Sequence, residues 1–365
     1  MFGTILLSAC TFMHIYVFWR AASVPLVGRN VPRKILIGAA VILWAIFVFG
    51  RIIGHDGEGF LAGAFEFLGM TWMGILFLIF IPLFVVDLTT LFGLFMPQVS
   101  PSLRGWALIT GGVLSSIAIF QGLRPPILEE YEVSLPCLPA EMDGTVLVAL
   151  SDMHLGSQLG EHWLSDRIDQ VKALHPDIVV LLGDIFEGHG PPEEPLIRTL
   201  GKLSTPLGIW AVPGNHEFHH GGGISQFGAI SFKLLRNNWV EVSPGLILAG
   251  VDDLTNRHRS GRGSYPISKT LAGRPPGTVI FLSHTPWQAE DVAKEGAGLM
   301  LCGHTHGGQI WPFDYLVRSR YPLLEGRYDV DGMPVIVCRG TGTWGPRMRL
   351  WRPNEIVAVT LRGKE

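Results

Sequence analysis

The chain opens on long apolar runs and continues on short ones. Met1 to Trp19, Phe67 to Val86 and Gly105 to Leu123 contain no Lys, Arg, Asp or Glu, and Ile35 to Gly50 joins them when Arg51 snorkels. About 20 apolar residues in helix cross a hydrocarbon layer of ~30 Å. The pattern therefore predicts four membrane spans, and Pro82 in the third is compatible with such a helix. The first run has no basic residue ahead of it and no small-residue cleavage pattern near Trp19, so it is expected to span rather than to be removed. From Thr145 onward the apolar runs shorten: Thr145 to Leu150, Ile178 to Leu182, Gly208 to Val212, Leu246 to Gly250, Val279 to Leu282, Leu299 to Cys302, Val335 to Cys338 and Ile356 to Leu361. Each is rich in Val, Ile and Leu and too short for a helix, which predicts buried strands. Between the first two, Trp163, Leu164, Ile168, Val171 and Leu174 fall near one face of a helix over Glu161 to Leu174. The order strand, helix, strand points to a mixed α/β core.

Charge sharpens this division. The first 122 residues carry 10 charged side chains and the remaining 243 carry 49, so a fully soluble enzyme, a disordered chain and a disulfide-rich miniprotein are all excluded. A net charge of −3 and the absence of a basic run give no reason to expect nucleic acid. Cys10, Cys137, Cys302 and Cys338 form no Cys-x-x-Cys pair, so neither a disulfide framework nor a thiolate metal site is read. Arg20, Arg29, Arg33, Lys34 and Arg104 sit in the first and third loops, against Arg51 and Arg124 on the other side. The positive-inside rule then puts the C-terminal part on the outer face, taken as that of a bacterial plasma membrane. Asp87, just past the third run, is expected at the interface. Pro125, Pro126, Pro136 and Pro139 suggest an extended connector. The expected organisation is a four-span region over residues 1–123, a Pro-rich linker over 124–144 and a catalytic domain over 145–365.

Candidate chemistry falls just after the short runs. Asp152 and His154 follow the first, Gly183-Asp184 the second, and Asn215-His216-Glu217 the third; His284 and then Gly303-His304-Thr305-His306 come later. Strand ends of an α/β sheet are where loops converge on a ligand. Each motif alone is weak, but together they bring Asp, His and Asn to one place beside glycines that allow sharp turns. Carboxylate, imidazole and amide oxygen favour Mn, Fe or Zn over the oxygen cages of Ca and Mg. Two such ions need a bridging anion, for which Asp184 is the best placed carboxylate, and a metal pair suits phosphate esters.

In this order the five blocks resemble the calcineurin-like metallophosphoesterases. The forms Ser151-Asp152-Met153-His154-Leu155-Gly156 and Gly303-His304-Thr305-His306-Gly307-Gly308-Gln309 are similar to the membrane-associated YkuE/YaeI-like branch, and the likeness covers residues 145–365. The resemblance implies a four-layer α/β/β/α sandwich holding two divalent ions. Asp152, His154 and His306 would hold one and Asn215, His284 and His304 the other, with Asp184 shared. His216 would bind the phosphate and serve as general acid. Glu217 is expected to orient its neighbours. His189, His219 and His220 lie in nearby Gly-rich loops, Arg347 and Arg349 suit either a phosphate or a solvent-exposed strand edge, and Trp311 suits a membrane interface. The expected function is a membrane-anchored phosphohydrolase of phosphoester or pyrophosphate bonds, with lipid-linked or cell-envelope phosphates as substrates. The YaeI likeness implies a nucleotide-lipid pyrophosphate found in the cytoplasm, which conflicts with the outward topology. The competing class is a non-catalytic membrane sensor or scaffold, in which metal ligands would be expected to be lost. None of the seven is missing.

Overall fold

The computed structural model describes residues 2–54, 59–187, 193–218 and 232–364. It divides into two compact units, Met1–Leu123 with Gly345–Trp351, and Arg124–Trp344 with Arg352–Glu365.

The first unit is helical: α1 (Phe2–Ala22), α2 (Pro25–Asn30), α3 (Arg33–Phe49), α4 (Phe60–Thr89) and α5 (Ser100–Gly122). Four of its helices are long and apolar enough to cross a membrane. Helix is the form that satisfies backbone polar groups within one segment, as hydrocarbon demands. Glycines set the packing. A Cβ at Gly50 would lie 2.5 Å from the Phe65 carbonyl of α4, and one at Gly111 would lie 2.6 Å from the Ile79 Cα, so small residues are what let these backbones approach. Ile15, Ile37, Trp106 and Phe120 point outward. The expectation for Asp87 is corrected: α4 continues to Thr89, and Asp87 is fully buried. Arg20 Nε at 2.5 Å and Arg104 Nε at 2.9 Å neutralise it, and the Tyr16 hydroxyl donates to it at 2.5 Å. Two guanidiniums from helix ends make that burial possible. The segment Gly345–Trp351 packs in this same unit. Arg349 N donates to the Ala118 carbonyl at 2.8 Å, and Met348 fits where Gly74 and Gly122 lack side chains. Arg349 is fully buried, so it lies on no solvent-exposed strand edge.

The second unit contains β1 (Ile127–Leu135), β2 (Val146–Leu150), β3 (Ile178–Leu181), β4 (Ile209–Ala211), β5 (Lys233–Leu234), β6 (Asn238–Ser243), β7 (Leu246–Gly250), β8 (Thr278–Leu282), β9 (Leu299–Cys302), β10 (Gly326–Val330), β11 (Met333–Val337) and β12 (Glu355–Gly363). They form two six-stranded sheets in the orders β1-β12-β2-β3-β4-β5 and β10-β11-β9-β8-β7-β6. Leu147, Val180 and Val212 of one sheet meet Leu248, Ile280 and Leu301 of the other in a shared core. The outer face of the first sheet is covered by α6 (Glu161–Ala173) and α7 (Glu194–Leu200), that of the second by α8 (Leu254–Arg259), α9 (Ile267–Leu271) and α10 (Ala289–Lys294). A further helix, α11 (Phe313–Arg320), follows β9. This is the expected four-layer α/β/β/α sandwich.

The expected linker is corrected. Residues 127–135 are an edge strand paired in parallel with β12. Val133 and Leu135 turn inward while their neighbours stay exposed, a period-two pattern that makes β1 part of the sheet rather than a connector.

Candidate metal centre

The five loops leave the C-terminal ends of parallel strands, β2, β3 and β4 in one sheet and β8 and β9 in the other. They converge at the top of the sandwich. Backbone geometry there is costly: Asp152, His154, Asp184, His304 and His306 all have φ between 46° and 71°, a region non-glycine residues seldom occupy. Glycines admit the close approach. A Cβ at Gly303 would strike the Ser151 hydroxyl, and one at Gly214 would strike the Asp184 carboxylate.

The side chains gather in two overlapping sets. In the first, His154 Nε2 lies 3.2 Å from His306 Nε2, which is 3.4 Å from Asp152 Oδ1. In the second, His284 Nε2 is 3.3 Å from Asp184 Oδ2 and 3.0 Å from His304 Nδ1. Asp184 Oδ2 also lies 3.8 Å from His154 Nε2, so one carboxylate faces both sets. The outer ring nitrogens are taken: His284 Nδ1 bonds the Leu182 carbonyl at 2.8 Å, His304 Nε2 the Tyr321 hydroxyl at 2.8 Å, and His154 Nδ1 the Glu187 carboxylate. Because the Leu182 carbonyl can only accept, His284 Nδ1 carries a proton and its Nε2 is turned toward the carboxylates. Asn215 Oδ1 and Asp152 Oδ1 are buried and accept no hydrogen bond among the described residues. Buried acceptors without donors are costly, and Asp152 Oδ1 faces the His306 imidazole nitrogen at 3.4 Å. This donor set fits a pair of divalent cations.

Electrostatics agree. Burial works against a charged Asp184, but His284 and His216 outweigh it and hold its pKa well below the carboxylate range. Burial raises the pKa of Asp152. Burial also opposes the His284 imidazolium, yet Asp184 and Asp152 keep its pKa well above the usual value, so the site attracts positive charge. For His154 the same contest, won by Glu187, gives a pKa of about 9. Burial, then the neighbouring His284, holds His304 well below the ordinary imidazole value.

Six of the seven expected ligand residues are thus brought together by their side chains, and Asn215 stands between Gly214, where a Cβ would meet the Asp184 carboxylate, and His216, whose backbone N–H donates to Asp184 Oδ1 at 2.9 Å. His216 lies beside them. Its Nε2 is 3.9 Å from Asp184 Oδ2 and its Nδ1 3.2 Å from Glu187. Glu217 faces backbone, accepting from Gly214, Asp184 and Ile185 at 2.7–3.0 Å, and so ties two loops together. Burial followed by the nearby Asp184 charge raises its pKa to about 7. His189, His219 and His220 lie outside the described residues. Sequence reasoning missed Glu187 and Tyr321. Glu187 is three residues after Asp184, a spacing that carries it back across the same loop, whereas no local signal marks Tyr321.

The calcineurin-like phosphoesterase family profile matches residues 145–308. A metallophosphoesterase of Aquifex aeolicus is 33% identical over 254 residues, 65% of this chain and 92% of its own. YkuE of Bacillus subtilis is 28% identical over 73% of this chain and 96% of its own. A transmembrane protein with metallophosphoesterase domain from Danio rerio is 31% identical over 70% of this chain and 62% of its own. The chain spans slightly less than two thirds of the length of the first curated relatives it matches. A dimetal phosphatase structure from Danio rerio shows a TM-score of 0.37 at 14% identity, covering 55% of this chain and 88% of its own. Through its ordered motifs and its identity across nearly the whole Aquifex protein, the chain belongs to the calcineurin-like metallophosphoesterases.

Proposed function

We propose that this chain is a membrane-anchored, dinuclear phosphohydrolase that cleaves phosphoester or pyrophosphate bonds. The observation that carries the reading is the pair of adjoining sets, Asp152 with His154 and His306, and Asp184 with His284 and His304, in which Asp152 Oδ1 is buried without a donor. Asp152, His154 and His306 would hold one ion and Asn215, His284 and His304 the other, with Asp184 serving both. Mn, Fe or Zn suits these donors. When bound, such a pair supplies the charge that readies a water and neutralises phosphate oxygens. The protein's own groups do the rest. His216, partly exposed and oriented by Glu187, donates a hydrogen bond to phosphate and a proton to the leaving oxygen. Glu217 keeps the Asp184 loop in place through three backbone bonds.

The excess of Lys and Arg in the first and third loops supports an outward catalytic unit, and the membrane anchor favours substrates held at a bilayer, lipid-linked phosphates among them. The complete ligand set supports catalysis over a ligand-binding sensor. The test uses the full chain in detergent with bis(p-nitrophenyl) phosphate. Chelation should abolish hydrolysis and Mn should restore it, while His216→Ala should slow the loaded protein by about 10²–10⁴-fold. Equal rates before chelation, after it and in the variant would defeat the reading. A reporter fused after Glu365 reads the sidedness.

A further inference from the structure

Among the described residues of the second unit, large apolar side chains are exposed at few places. Ile127 and Leu128 lie just after the last membrane helix, Trp344 is 39% exposed, and Phe313, Tyr315 and Leu316 of α11 are 43%, 66% and 64% exposed. Helix α11 is inverted. The residue it buries is Asp314, with Val317 half-buried, while Phe313, Tyr315 and Leu316 are exposed, the reverse of a helix packed on a core by its large apolar residues. Asp314 is held by Arg352 at 3.0 Å. One turn along, α11 carries Arg318 and Arg320, for neither of which is an acidic partner found among the described residues; Arg320 rests 4.4 Å from the Trp287 ring centroid. At either end α11 adjoins the metal centre. Gln309 and Trp344 exchange hydrogen bonds ahead of it, and Tyr321 bonds His304 behind it.

Outward Phe, Tyr and Leu followed by arginines is the chemistry of a helix lying in a membrane interface, where rings and aliphatic groups enter the headgroup region and guanidiniums meet lipid phosphates. A second copy of the chain fits less well, since an isologous contact over so short a helix sets arginines against arginines. We propose that α11 is an interfacial helix that seats Phe313, Tyr315 and Leu316 in an anionic bilayer, so that the adjoining site draws its phosphate esters from amphiphiles held in that leaflet. The second half of this rests on the phosphohydrolase reading, and the first half does not.

The full chain tests it in vesicles of phosphatidylcholine and phosphatidylglycerol. Cys137 is exposed and the other described cysteines are buried, so a Cys137→Ala background accepts a single added label. An NBD fluorophore on Leu316→Cys should emit blue-shifted light and be quenched by lipids carrying a doxyl group, while the same label on Lys172→Cys of α6 should report water. A water-like signal at position 316 would overturn the proposal. So would a blue shift without lipid quenching, which would mean that protein covers α11. For the substrate class, wild type should hydrolyse phosphatidyl-p-nitrophenol in vesicles, and Phe313→Ser with Leu316→Ser should lower its rate relative to soluble bis(p-nitrophenyl) phosphate by about tenfold or more. An unchanged ratio overturns that half. If wild type cleaves neither substrate, the phosphohydrolase reading fails while the quenching still decides α11.

Discussion

Each unit buries a carboxylate among charged side chains, and the two sites are built to opposite ends. Around Asp87 both carboxylate oxygens have partners: Arg104 bonds one, Arg20 pairs with the other and the Tyr16 hydroxyl donates to it, and Arg104 also reaches the Phe92 carbonyl at 3.1 Å. The carboxylate stands on regular helix. Around Asp152 and Asp184 the loops are held in left-handed backbone, imidazole nitrogens face one another at about 3 Å, and two acceptors have no donor. A closed ion cluster locks helices and asks for nothing more. An open one stores strain and desolvation that a cation can relieve.

Removing charge from each cluster should therefore give different kinds of loss. Asp184→Asn keeps the shape of the side chain but removes the charge that faces both cation sets. Hydrolysis should fall by about 10³-fold or more, at a tenfold loss per 1.4 kcal/mol of transition-state stabilisation. Metal content, read by elemental analysis of the purified protein, should fall with it. Full activity and full metal content in this variant would end the distinction between an open and a closed site.

Asp87→Ala should leave two buried guanidiniums without their counterion, at a cost of about 3–5 kcal/mol. The loss should appear as a lower unfolding temperature in detergent and a lower yield, with metal content per folded molecule unchanged. If metal content fell instead, the cluster of the first unit would be acting on the site of the second, and the comparison would have to be redrawn.

The same contrast explains what could be read from the sequence. Strands β2, β3, β7, β8 and β9 are buried on both faces, so they stand out as unbroken apolar runs, and a short His or Asp motif after such a run lands at a strand end. The edges escaped notice. In β1 the inward Val133 and Leu135 alternate with acidic and polar residues between prolines, and β6 and β10 are half-exposed. Asp87 looked interfacial because its partners Arg20 and Arg104 come from other helices, 67 and 17 residues away. The two arginines of Gly345–Trp351 suggest a phosphate or an exposed strand edge alike, whereas what accepts the segment is the small-residue face at Gly74 and Gly122, remote in sequence. Glu187 and Tyr321 escaped for the same reason: each acts on a histidine from another loop.

Glu187 offers the finest test of how open the centre is. Burial lowers the pKa of His154, but Glu187 and the nearby aspartates overcome it and carry the folded value to about 9 from 6.5. A base whose pKa rises on folding adds stability that is fully present below 6.5 and is lost as the pH climbs through about 9. In chelator, Glu187→Gln should thus be less stable than wild type by about 1.5–3 kcal/mol at pH 6, the range of a hydrogen bond between charged groups. The gap should close by pH 10. If His154 holds a cation as proposed, its imidazole would take up no proton with metal bound, so this slope should vanish from the difference between the two proteins. Thermal unfolding of both across that range, with and without Mn, measures it. A gap that ignores both pH and metal would mean that Glu187 only packs against His154, and that the centre is closed in the way Asp87 is.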